Sequence, residues 1–319
     1  MQTTNHIFLV KPAHFAYNEE TALSNSFQNV LTDDQQNIQQ KVDKEFDSLV
    51  QTLKASGVSV LVFDDTAQPV KPDAIFPNNW ISLHRDGKAI LYPMCAPNRR
   101  AERRQELLDA LQENFYVSEV IDFSRYENEG RYLEGTGSIV FDHQNKTAYA
   151  CLSPRTDKEL LLQVCQLLQY QPVYFYAYDA AGKEIYHTNV MMCVGEDFAI
   201  VCLDSITAEA ERKRVVEALG SSGHEIIDIT YAQMNQFAGN MLQLQTTGNK
   251  NVLALSASAY NSLDAAQKKN IEKYVTLLPM AIPTIETIGG GSVRCMIAEI
   301  FLSRRQQATS KEQHKIMES

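Results

Sequence analysis

The chain has 319 residues, of which 44% are hydrophobic and 21% charged, and its formal net charge is −10. This acidic balance disfavours a nucleic-acid-binding protein, whose usual mark is a basic patch, and no apolar run reaches the roughly 18 residues of a membrane span. No signal peptide is expected, because the N-terminus lacks a basic segment followed by a long apolar one. The six cysteines occur singly, without a CxxC pair, so we expect free thiols in a protein of the reducing cytoplasm.

From the N-terminus onwards the sequence repeats one pattern: an amphipathic helix, a short apolar strand, a turn of small residues and a strand hairpin. The first predicted helix carries apolar residues at helical spacing between Ile38 and Leu53 and stops at Gly57, and the fourth stops at Gly220. Every predicted helix start offers a side-chain oxygen as an N-cap. These starts lie near Asp33, Asn98, Thr156, Thr207 and Ser262.

The strand predicted after each helix is short and apolar. In chain order these strands read VSVLVF, VSEVI, VYFYAY, EIIDI and IPTIET. Hairpin turns follow in four units, at Asp86-Gly87, residues 143–146, residues 195–197 and Gly248-Asn249. The fifth unit lacks a second hairpin strand, and we expect HIFLV at residues 6–10 to supply it. Such closure by the N-terminal strand would remove exposed sheet edges.

One residue that could take part in chemistry stands at the same point of each unit. These residues are Asn79, Glu134, His187, Asn240 and Cys295, and the gaps between them are 55, 53, 53 and 55 residues. A repeat of this length marks a supersecondary unit that needs its neighbours in order to bury its faces. If the five units form a ring, a carboxylate, an imidazole and a thiol meet at its axis.

Cys295 follows a run of three glycines and Ser292, and such a run allows the backbone to come close to a ligand. Arg294 beside it is a candidate for stabilising a thiolate, the reactive form of cysteine. Most buried cysteines act only as small hydrophobic residues. The position of Cys295 in the repeat and the glycine run therefore carry the prediction of a nucleophile.

His187 is the only one of the seven histidines in the repeat register, and histidine transfers protons near neutral pH. Glu134, within LEGTGS, is either an exposed loop acid or a carboxylate that holds a substrate or the imidazole. Asn79 and Asn240 are turn residues in the simplest interpretation. A papain-like protease would also use a cysteine and a histidine, but local signatures such as CGSCW are absent.

The segments LEGTGS, HTN and GGGSVRCM, in this order and at these separations, resemble the guanidine-modifying enzyme superfamily. Its members include arginine deiminases, dimethylarginine hydrolases, agmatine deiminases and amidinotransferases. The resemblance covers nearly the whole chain and implies an α/β fold, a five-bladed pseudosymmetric propeller or pentein. It also implies that Cys295 is the nucleophile, His187 the general acid/base and Glu134 the acid of its motif, without a metal or organic cofactor. We expect one domain over residues 1–302 and a polar tail over residues 303–319.

Two positions depart from the arginine-acting members, which bracket the guanidinium with aspartates in F-x-R-D and H-x-D segments. Here residues 76–79 read FPNN and residues 187–189 read HTN, so Asn79 and Asn189 stand at the aspartate positions. A buried guanidinium would lack its countercharges, whereas a neutral ureido group matches the donor and acceptor of an amide. The chain thus resembles citrulline-utilisation hydrolases, and we expect citrulline to be converted to ornithine, ammonia and carbon dioxide.

Other functions stay open from the sequence. An arginine deiminase or a dimethylarginine dimethylaminohydrolase would use the same three catalytic residues, and an amidinotransferase would pass the amidino group to an amine. A non-catalytic binding protein would have no need of an activated thiol. The expected partner is a small ureido or guanidino molecule, with Phe76, Asn79, Asn189, Asn240 and Arg131 as its predicted contacts. Arg99 and Arg100 are further candidates for binding its carboxylate.

Overall fold

The computed structural model describes residues 1–31 and 33–305, and these residues form five sheets of three strands each. The strands are β1 (His6–Lys11), β2 (Ser59–Asp64), β3 (Ile81–Leu83), β4 (Lys88–Leu91), β5 (Glu119–Asp122), β6 (Val140–Asp142), β7 (Thr147–Cys151), β8 (Gln171–Phe175), β9 (Met192–Val194), β10 (Phe198–Val201), β11 (Glu225–Asp228), β12 (Leu242–Gln245), β13 (Asn251–Ser256), β14 (Thr276–Met280) and β15 (Ala298–Glu299).

Helices connect the strands and precede many of them. They are α1 (Glu19–Ala22), α2 (Gln35–Ala55), α3 (Gln105–Asn114), α4 (Gly135–Ser138), α5 (Lys158–Leu168), α6 (Thr188–Met191), α7 (Glu209–Ser221), α8 (Tyr231–Met234), α9 (Ala257–Ser262), α10 (Ala265–Ile271), α11 (Pro283–Gly289) and α12 (Val293–Met296). Short 3₁₀ segments span Pro77–Asn79, Pro97–Glu102, Ser124–Glu129 and Leu203–Ser205. Within the described ranges, no helix is both long and apolar enough to cross a membrane.

The longest helix, α2, shows why the apolar spacing predicts helices in this chain. Its buried residues include Ile38, Val42 and Phe46, which recur once per turn and form one apolar face. The helix ends at Ala55, and Gly57 follows with a φ of 93°, a left-handed conformation that favours glycine. The predicted amphipathic helix and its glycine stop are therefore confirmed.

Four of the five sheets share one topology. The first two strands form an antiparallel hairpin, and the third strand returns parallel to the second after a helical crossover, as in β3, β4 and β5. Gly87 and Asn249 occupy left-handed positions in two of the hairpin turns, with φ values of 88° and 57°. The four hairpins predicted from turn residues are thus present in the structure.

The fifth sheet joins the two ends of the described chain. β15 pairs antiparallel with β1, with Ile7 opposite Glu299, and β1 pairs parallel with β2, with Val10 opposite Phe63. β1 therefore takes the place that the second hairpin strand holds in the other sheets, as expected for HIFLV. The fold is a mixed α/β arrangement of five similar small sheets, which fits a five-fold pseudosymmetry.

The prediction of a strand at IPTIET is wrong. This segment forms helix α11, and the parallel strand of its unit is β14, which lies before it. Pro283 occupies the first turn of α11, where its fixed φ suits a helix. The carboxylate of Glu45 also accepts hydrogen bonds from the backbone N–H groups of Thr284 and Ile285. These contacts favour a helix start despite the β-branched residues of the segment.

The second predicted helix begins later than expected from Asn98. A 3₁₀ segment occupies Pro97–Glu102, and α3 begins only at Gln105. The backbone of Arg103, with a ψ of 80°, leaves the helical region and separates the two segments. At the other end of the chain, residues 306–319 of the predicted tail lie outside the described part. The boundary of a single domain at residue 302 stays a prediction.

Two further boundaries differ in the later units. Ser262 ends α9 instead of starting a helix, because Asp264 caps α10 by accepting a hydrogen bond from the backbone N–H of Gln267. In the fourth unit, α7 continues to Ser221, one residue past the predicted stop at Gly220. Both differences are small shifts at helix ends, where sequence patterns are least informative.

Candidate active site

The five residues in repeat register occupy the same structural position, at the entrance to the first strand of each sheet. Asn79 ends the 3₁₀ segment before β3, Glu134 and His187 directly precede α4 and α6, Asn240 precedes β12, and Cys295 lies within α12. Each of them is 5% exposed or less. The short helical turns therefore direct equivalent side chains of all five units into one buried cluster.

The imidazole of His187 is held by Glu134, whose Oε2 lies 2.8 Å from Nε2. The other carboxylate oxygen, Oε1, accepts a hydrogen bond of 2.9 Å from the backbone N–H of Cys95. Arg155 supplies a positive charge, with Nη1 at 3.4 Å from Oε2. Because Nε2 is bound to the carboxylate, Nδ1 is the imidazole nitrogen left for proton transfer.

The charges of this pair follow from burial and from their neighbours. Burial alone would raise the pKa of Glu134, but Arg155 and the hydrogen bond from His187 outweigh it and hold that pKa well below its usual range. Burial lowers the pKa of His187 to about 4, although Glu134 opposes this effect. At neutral pH the pair is therefore a carboxylate beside a neutral imidazole, and its Nδ1 can accept a proton.

Two glycines of LEGTGS allow this loop to approach its neighbours. Gly135 has a φ of 46°, and a Cβ there would collide with the carbonyl oxygen of Asn78. A Cβ on Gly137 would collide with Nδ2 of Asn79 and would lie 2.7 Å from Nδ1 of His187. Any side chain at these two positions would therefore push the units apart.

Two asparagine amides contact the sulfur of Cys295. Nδ2 of Asn240 lies 3.3 Å from Sγ and Nδ2 of Asn189 lies 3.4 Å from it, so both amides donate to the sulfur. Asn240 is oriented by its other contacts, since its Oδ1 accepts from the backbone N–H of Arg294 and its Nδ2 also donates to the carbonyl oxygen of Asn189. Such donors stabilise negative charge on the sulfur, the form in which it attacks.

The side chain of Arg294, the predicted candidate for stabilising the thiolate, is bound to other groups. Its Nη1 donates to the carbonyl oxygen of Ile297, and its Nη2 pairs with Glu299 at 2.9 Å. The charge of Arg294 is therefore matched by the carboxylate of Glu299. What Arg294 contributes to the site is the backbone N–H that orients Asn240.

Asn79 is oriented by an arginine of its own unit. Nη1 of Arg99 donates to Oδ1 of Asn79 at 2.8 Å, while Nε and Nη2 of Arg99 donate to the two carboxylate oxygens of Glu102. A guanidinium only donates hydrogen bonds, so the amide oxygen of Asn79 must face it and Nδ2 must face away. Nδ2 is buried and has no hydrogen-bond partner among the described residues.

These groups surround a cavity of about 20 Å³. The glycine run before Cys295 forms one wall, and Phe76 packs against it so closely that a Cβ on Gly289 would lie 2.8 Å from the ring. The predicted residues on the lining are Phe76, Asn79, Arg99, His187 and Cys295. The structure thus brings the predicted imidazole and thiol to one cavity, with Glu134 behind the imidazole.

Asp73, Arg155 and Tyr186 also line the cavity and are absent from the sequence prediction. Oδ2 of Asp73 accepts hydrogen bonds from Asn18 and Thr21, and it lies 3.7 Å from Nε of Arg99. Oδ1 of Asp73 is buried without a partner in the described part of the chain. Asp73 therefore lines the cavity and keeps one carboxylate oxygen that no described residue binds.

A signal in the repeat could have identified Arg155 alongside the predicted Arg99. Arg99 stands 20 residues after Asn79, and Arg155 stands 21 residues after Glu134, so they hold similar places in adjacent units. Asp73 has no comparable signal, because it reaches the cavity through an irregular segment after β2. Its role depends on tertiary contacts that no periodic pattern records.

Two predicted arginines lie outside the cavity. Arg131, predicted to contact the substrate, pairs with Asp157 at 3.0 Å, and Arg100 pairs with Glu127 at 3.3 Å. Each carboxylate holds its arginine away from the cavity lining. Asn189 reaches Cys295 from another side, since it lines a second small cavity and not the one that contains His187.

Comparison with known proteins gives a family match over most of the chain. A family model described as N,N dimethylarginine dimethylhydrolase, eukaryotic, matches residues 11–302. Among curated proteins, none matches the chain. Cyanobacterial ArgZ in its apo form, an arginine dihydrolase from the ornithine-ammonia cycle, has a similar structure with 16% identity and a TM-score of 0.71. This similarity covers 92% of the present chain and 40% of ArgZ.

Two further solved structures share the fold. Unliganded AgrE is 14% identical with a TM-score of 0.73, over 95% of this chain and 40% of AgrE. A dimethylarginine dimethylaminohydrolase variant, in an adduct with S-methyl-L-thiocitrulline, is 14% identical with a TM-score of 0.64. That match covers 94% of this chain and 100% of the other. The present chain therefore spans less than half the length of ArgZ and AgrE, and the likeness at these identities establishes a shared fold.

Proposed function

The chain belongs to the family described as N,N dimethylarginine dimethylhydrolase, eukaryotic, and we propose that within this family it hydrolyses citrulline to ornithine, ammonia and carbon dioxide. The family lies in the guanidine-modifying enzyme superfamily that the motifs resemble, and the chain is a hydrolase of non-peptide C–N bonds. The choice of a ureido substrate within this class rests on one observation, the orientation of the Asn79 amide.

Arg99 turns the Asn79 amide so that Nδ2 is an unpartnered donor, and Asn79 is one of the residues that line the cavity. The ureido group of citrulline has a carbonyl oxygen that accepts such a hydrogen bond. A guanidinium carries N–H groups and no acceptor, so it would place donors against a donor. Leaving a buried polar group unsatisfied costs about 1–3 kcal/mol, and this cost favours the ureido substrate.

Paired charges around the cavity also suit a neutral reacting group. Arg155 matches Glu134, and Arg99 matches Glu102. Asp73 keeps an oxygen without a partner in the described residues, and we assign to it the α-ammonium group of an amino-acid substrate. The cation of the substrate would then lie at Asp73, while the neutral ureido group lies between Asn79 and Cys295.

In the first step, Nδ1 of His187 accepts the thiol proton of Cys295, and the thiolate bonds to the ureido carbon. The electron pair of the C=O bond moves to oxygen, which Nδ2 of Asn79 stabilises. When the intermediate collapses, the bond from this carbon to the side-chain nitrogen breaks, and the imidazolium protonates that nitrogen. Ornithine leaves as an amine, and a carbamoyl thioester remains on Cys295.

In the second step, water attacks the carbamoyl carbon while Nδ1 of His187 takes its proton. The carbon–sulfur bond breaks, and the sulfur recovers a proton from the imidazolium. The carbamic acid released decomposes to ammonia and carbon dioxide. Glu134 keeps its charge throughout, because its pKa lies well below the usual range, and it holds the imidazole through Nε2.

A guanidino hydrolase, either an arginine deiminase or a dimethylarginine dimethylaminohydrolase, is the second candidate. The free oxygen of Asp73 favours it, since a carboxylate can bind a guanidinium as well as an ammonium group. The names of two structural neighbours, an arginine dihydrolase and a dimethylarginine dimethylaminohydrolase, point to the same class. An amidinotransferase would use the same thiol but transfer the amidino group to an amine in place of water.

A substrate panel tests the proposal. Purified protein is incubated with citrulline, arginine, agmatine and dimethylarginine, and ornithine, citrulline, ammonia and dimethylamine are measured. Ornithine from citrulline, at a higher kcat/KM than any turnover of arginine, supports the proposal. Preferred turnover of arginine or dimethylarginine overturns it in favour of the second candidate. Mass spectrometry of acid-quenched enzyme separates a carbamoyl group on Cys295 from the amidino group of a transferase.

We also infer that the five sheets surround one axis as a five-bladed propeller and form a single domain. The pairing of β1 with both β2 and β15, and the meeting of equivalent residues from all five units, support this arrangement. A cytoplasmic location is proposed with it, on the support of six cysteines that are all free.

A further inference from the structure

We propose that Glu102 is a positioning residue that sets the preference for ureido over guanidino substrates, by holding Arg99 in the orientation that fixes the Asn79 amide. The inference rests on the proposed function, because it concerns how the same cavity selects its substrate. Glu102 is absent from the residues of the described chain that line the cavity. It must therefore act through Arg99 and Asn79.

The three residues form one buried chain of hydrogen bonds. Nε and Nη2 of Arg99 each donate to a different oxygen of Glu102, at 2.8 and 2.9 Å. Nη1 of Arg99 donates to Oδ1 of Asn79 at 2.8 Å. The guanidinium is planar and rigid, so binding its Nε edge to a carboxylate also fixes the direction in which Nη1 points.

A bidentate contact of this kind requires two acceptor oxygens at Glu102. A glutamine there would offer one oxygen and one N–H₂ group, and the latter would face a donor of Arg99. Asp73, whose Oδ2 lies 3.7 Å from Nε, is the nearest other carboxylate that could attract the guanidinium. Without Glu102, the remaining anchor of Arg99 is the carbonyl oxygen of Phe76, which accepts from Nη2 at 3.2 Å. Arg99 would then turn towards Asp73 and release Oδ1 of Asn79.

Release of Asn79 would free its amide group to adopt either of two orientations. An amide that has lost its fixed partner can turn over, which exchanges the positions of oxygen and N–H₂. In the reversed orientation the oxygen faces the cavity and accepts from a guanidinium. Glu102 thus excludes guanidino substrates without touching them, by keeping a donor directed at the reacting group.

The test compares Glu102→Gln with the unmodified enzyme. The ratio of kcat/KM for citrulline to kcat/KM for arginine is expected to fall about 10-fold, the scale of one discriminating hydrogen bond. Glu113→Gln is the matched control, since Glu113 is an exposed residue of α3, and it should leave the ratio unchanged. Equal losses for both substrates in Glu102→Gln would show a merely structural role and overturn the proposal.

A double-mutant cycle shows whether the effect passes through Asn79. In an Asn79→Ala background, Glu102→Gln should change the ratio no further, because the amide it orients is gone. The same fall in both backgrounds would overturn the proposal. If Glu102→Gln fails to fold, the variant with Arg99→Met and Glu102→Leu removes both buried charges and should show the same fall in the ratio. An unchanged ratio in that variant would count against the proposal.

Failure of the proposed function and failure of this inference have different signatures. If the unmodified enzyme prefers arginine, the citrulline proposal fails. The Glu102 inference is then judged by binding, from dissociation constants of citrulline and arginine in the Cys295→Ala background. The Glu102 inference is supported if Glu102→Gln changes the ratio of these two dissociation constants and the change is absent when Asn79→Ala is also present. It is overturned if Glu102→Gln leaves the ratio unchanged.

Discussion

Glu134 and His187 belong to neighbouring units and stand 53 residues apart in the sequence, yet Oε2 and Nε2 lie only 2.8 Å apart. The two residues are 0% and 2% exposed, so the contact is shielded from water. The carboxylate is kept charged by Arg155 from the loop after β7. Because burial lowers its pKa, the imidazole is neutral at neutral pH, and the fixed Nε2 contact leaves Nδ1 without a proton and able to accept one in the cavity that Cys295 also lines.

Replacement of Cys295 by alanine should reduce turnover by at least ~10³-fold, since the reaction loses its nucleophile. Thermal unfolding should stay cooperative, because the substitution removes one sulfur from a small cavity. Cys165→Ala is the matched control, a buried cysteine of α5, and it should retain activity. Substantial turnover by a clean preparation of Cys295→Ala would show that another group attacks the substrate.

Replacement of His187 by alanine should lower kcat by at least ~10²-fold, the usual scale of general acid–base help. The loss has two sources, since the imidazole accepts the thiol proton and later protonates the leaving nitrogen. His14→Ala serves as the control, because His14 is exposed. Wild-type kcat in the His187 variant would assign proton transfer to a different residue.

The pH dependence follows from the direction of the His187 shift. Burial lowers the pKa of His187 from 6.5 to about 4, so the imidazole stays neutral as the pH falls from 7 and gains its proton only near the lower value. The base form required for the first step is therefore retained, and kcat/KM for the free enzyme should show no acid break from His187 above about pH 5. A break near the ordinary histidine pKa that disappears in His187→Gln would contradict this expectation.

Much of the fold is predictable because each unit buries one face of a helix and both hairpin strands. The period of Ile38, Val42 and Phe46 gives α2, and Gly87 and Asn249 mark their hairpin turns. The error at IPTIET has a tertiary cause: Glu45 in α2 supplies acceptors for the first backbone N–H groups of α11. Local propensity cannot register a contact with a residue more than two hundred positions away.

The site residues, too, are predictable where a sequence pattern marks them and unpredictable where only tertiary contacts place them. Glu134, His187 and Cys295 are identified by their common position in the repeat, and the structure places all of them in one buried cluster. Asp73 escapes prediction, because an irregular segment carries it to the cavity. The sequence also treats Asn79 and Asn189 as equivalent replacements for aspartate, whereas one contacts Arg99 and the other contacts the sulfur.

Asp73→Asn should distinguish the two assignments of its free oxygen. If Asp73 binds the α-ammonium group, the variant should raise KM for citrulline about 10-fold, the effect of losing one charged hydrogen bond. It should not change KM for 5-ureidopentanoic acid, which lacks the α-amino group. If Asp73 instead binds a guanidinium, the loss should appear with 5-guanidinopentanoic acid, and this result would favour the second candidate function.

The two asparagines should respond differently to replacement by aspartate. Asn79→Asp keeps an acceptor for Arg99 and turns its second oxygen towards the cavity, where it repels a ureido oxygen and attracts a guanidinium. The ratio of kcat/KM for citrulline to that for arginine should therefore fall. Asn189→Asp places a carboxylate beside Sγ in place of an N–H donor, so it should lower kcat for both substrates and leave the ratio nearly unchanged.

The variant with both asparagines replaced should combine these effects. Its ratio of kcat/KM for citrulline to that for arginine should equal the ratio of Asn79→Asp, and its kcat should be lower for both substrates. The two side chains contact the site at different groups, so their effects on specificity and on the nucleophile should be close to additive. Steady-state kinetics of the two single variants and the double variant on citrulline and arginine provide the measurement. A ratio that rises in Asn79→Asp would show that Asn79 does not donate to the substrate oxygen. The neutral-substrate argument would then fail, and the free carboxylate oxygen of Asp73 would point to a guanidinium as the group the enzyme recognises.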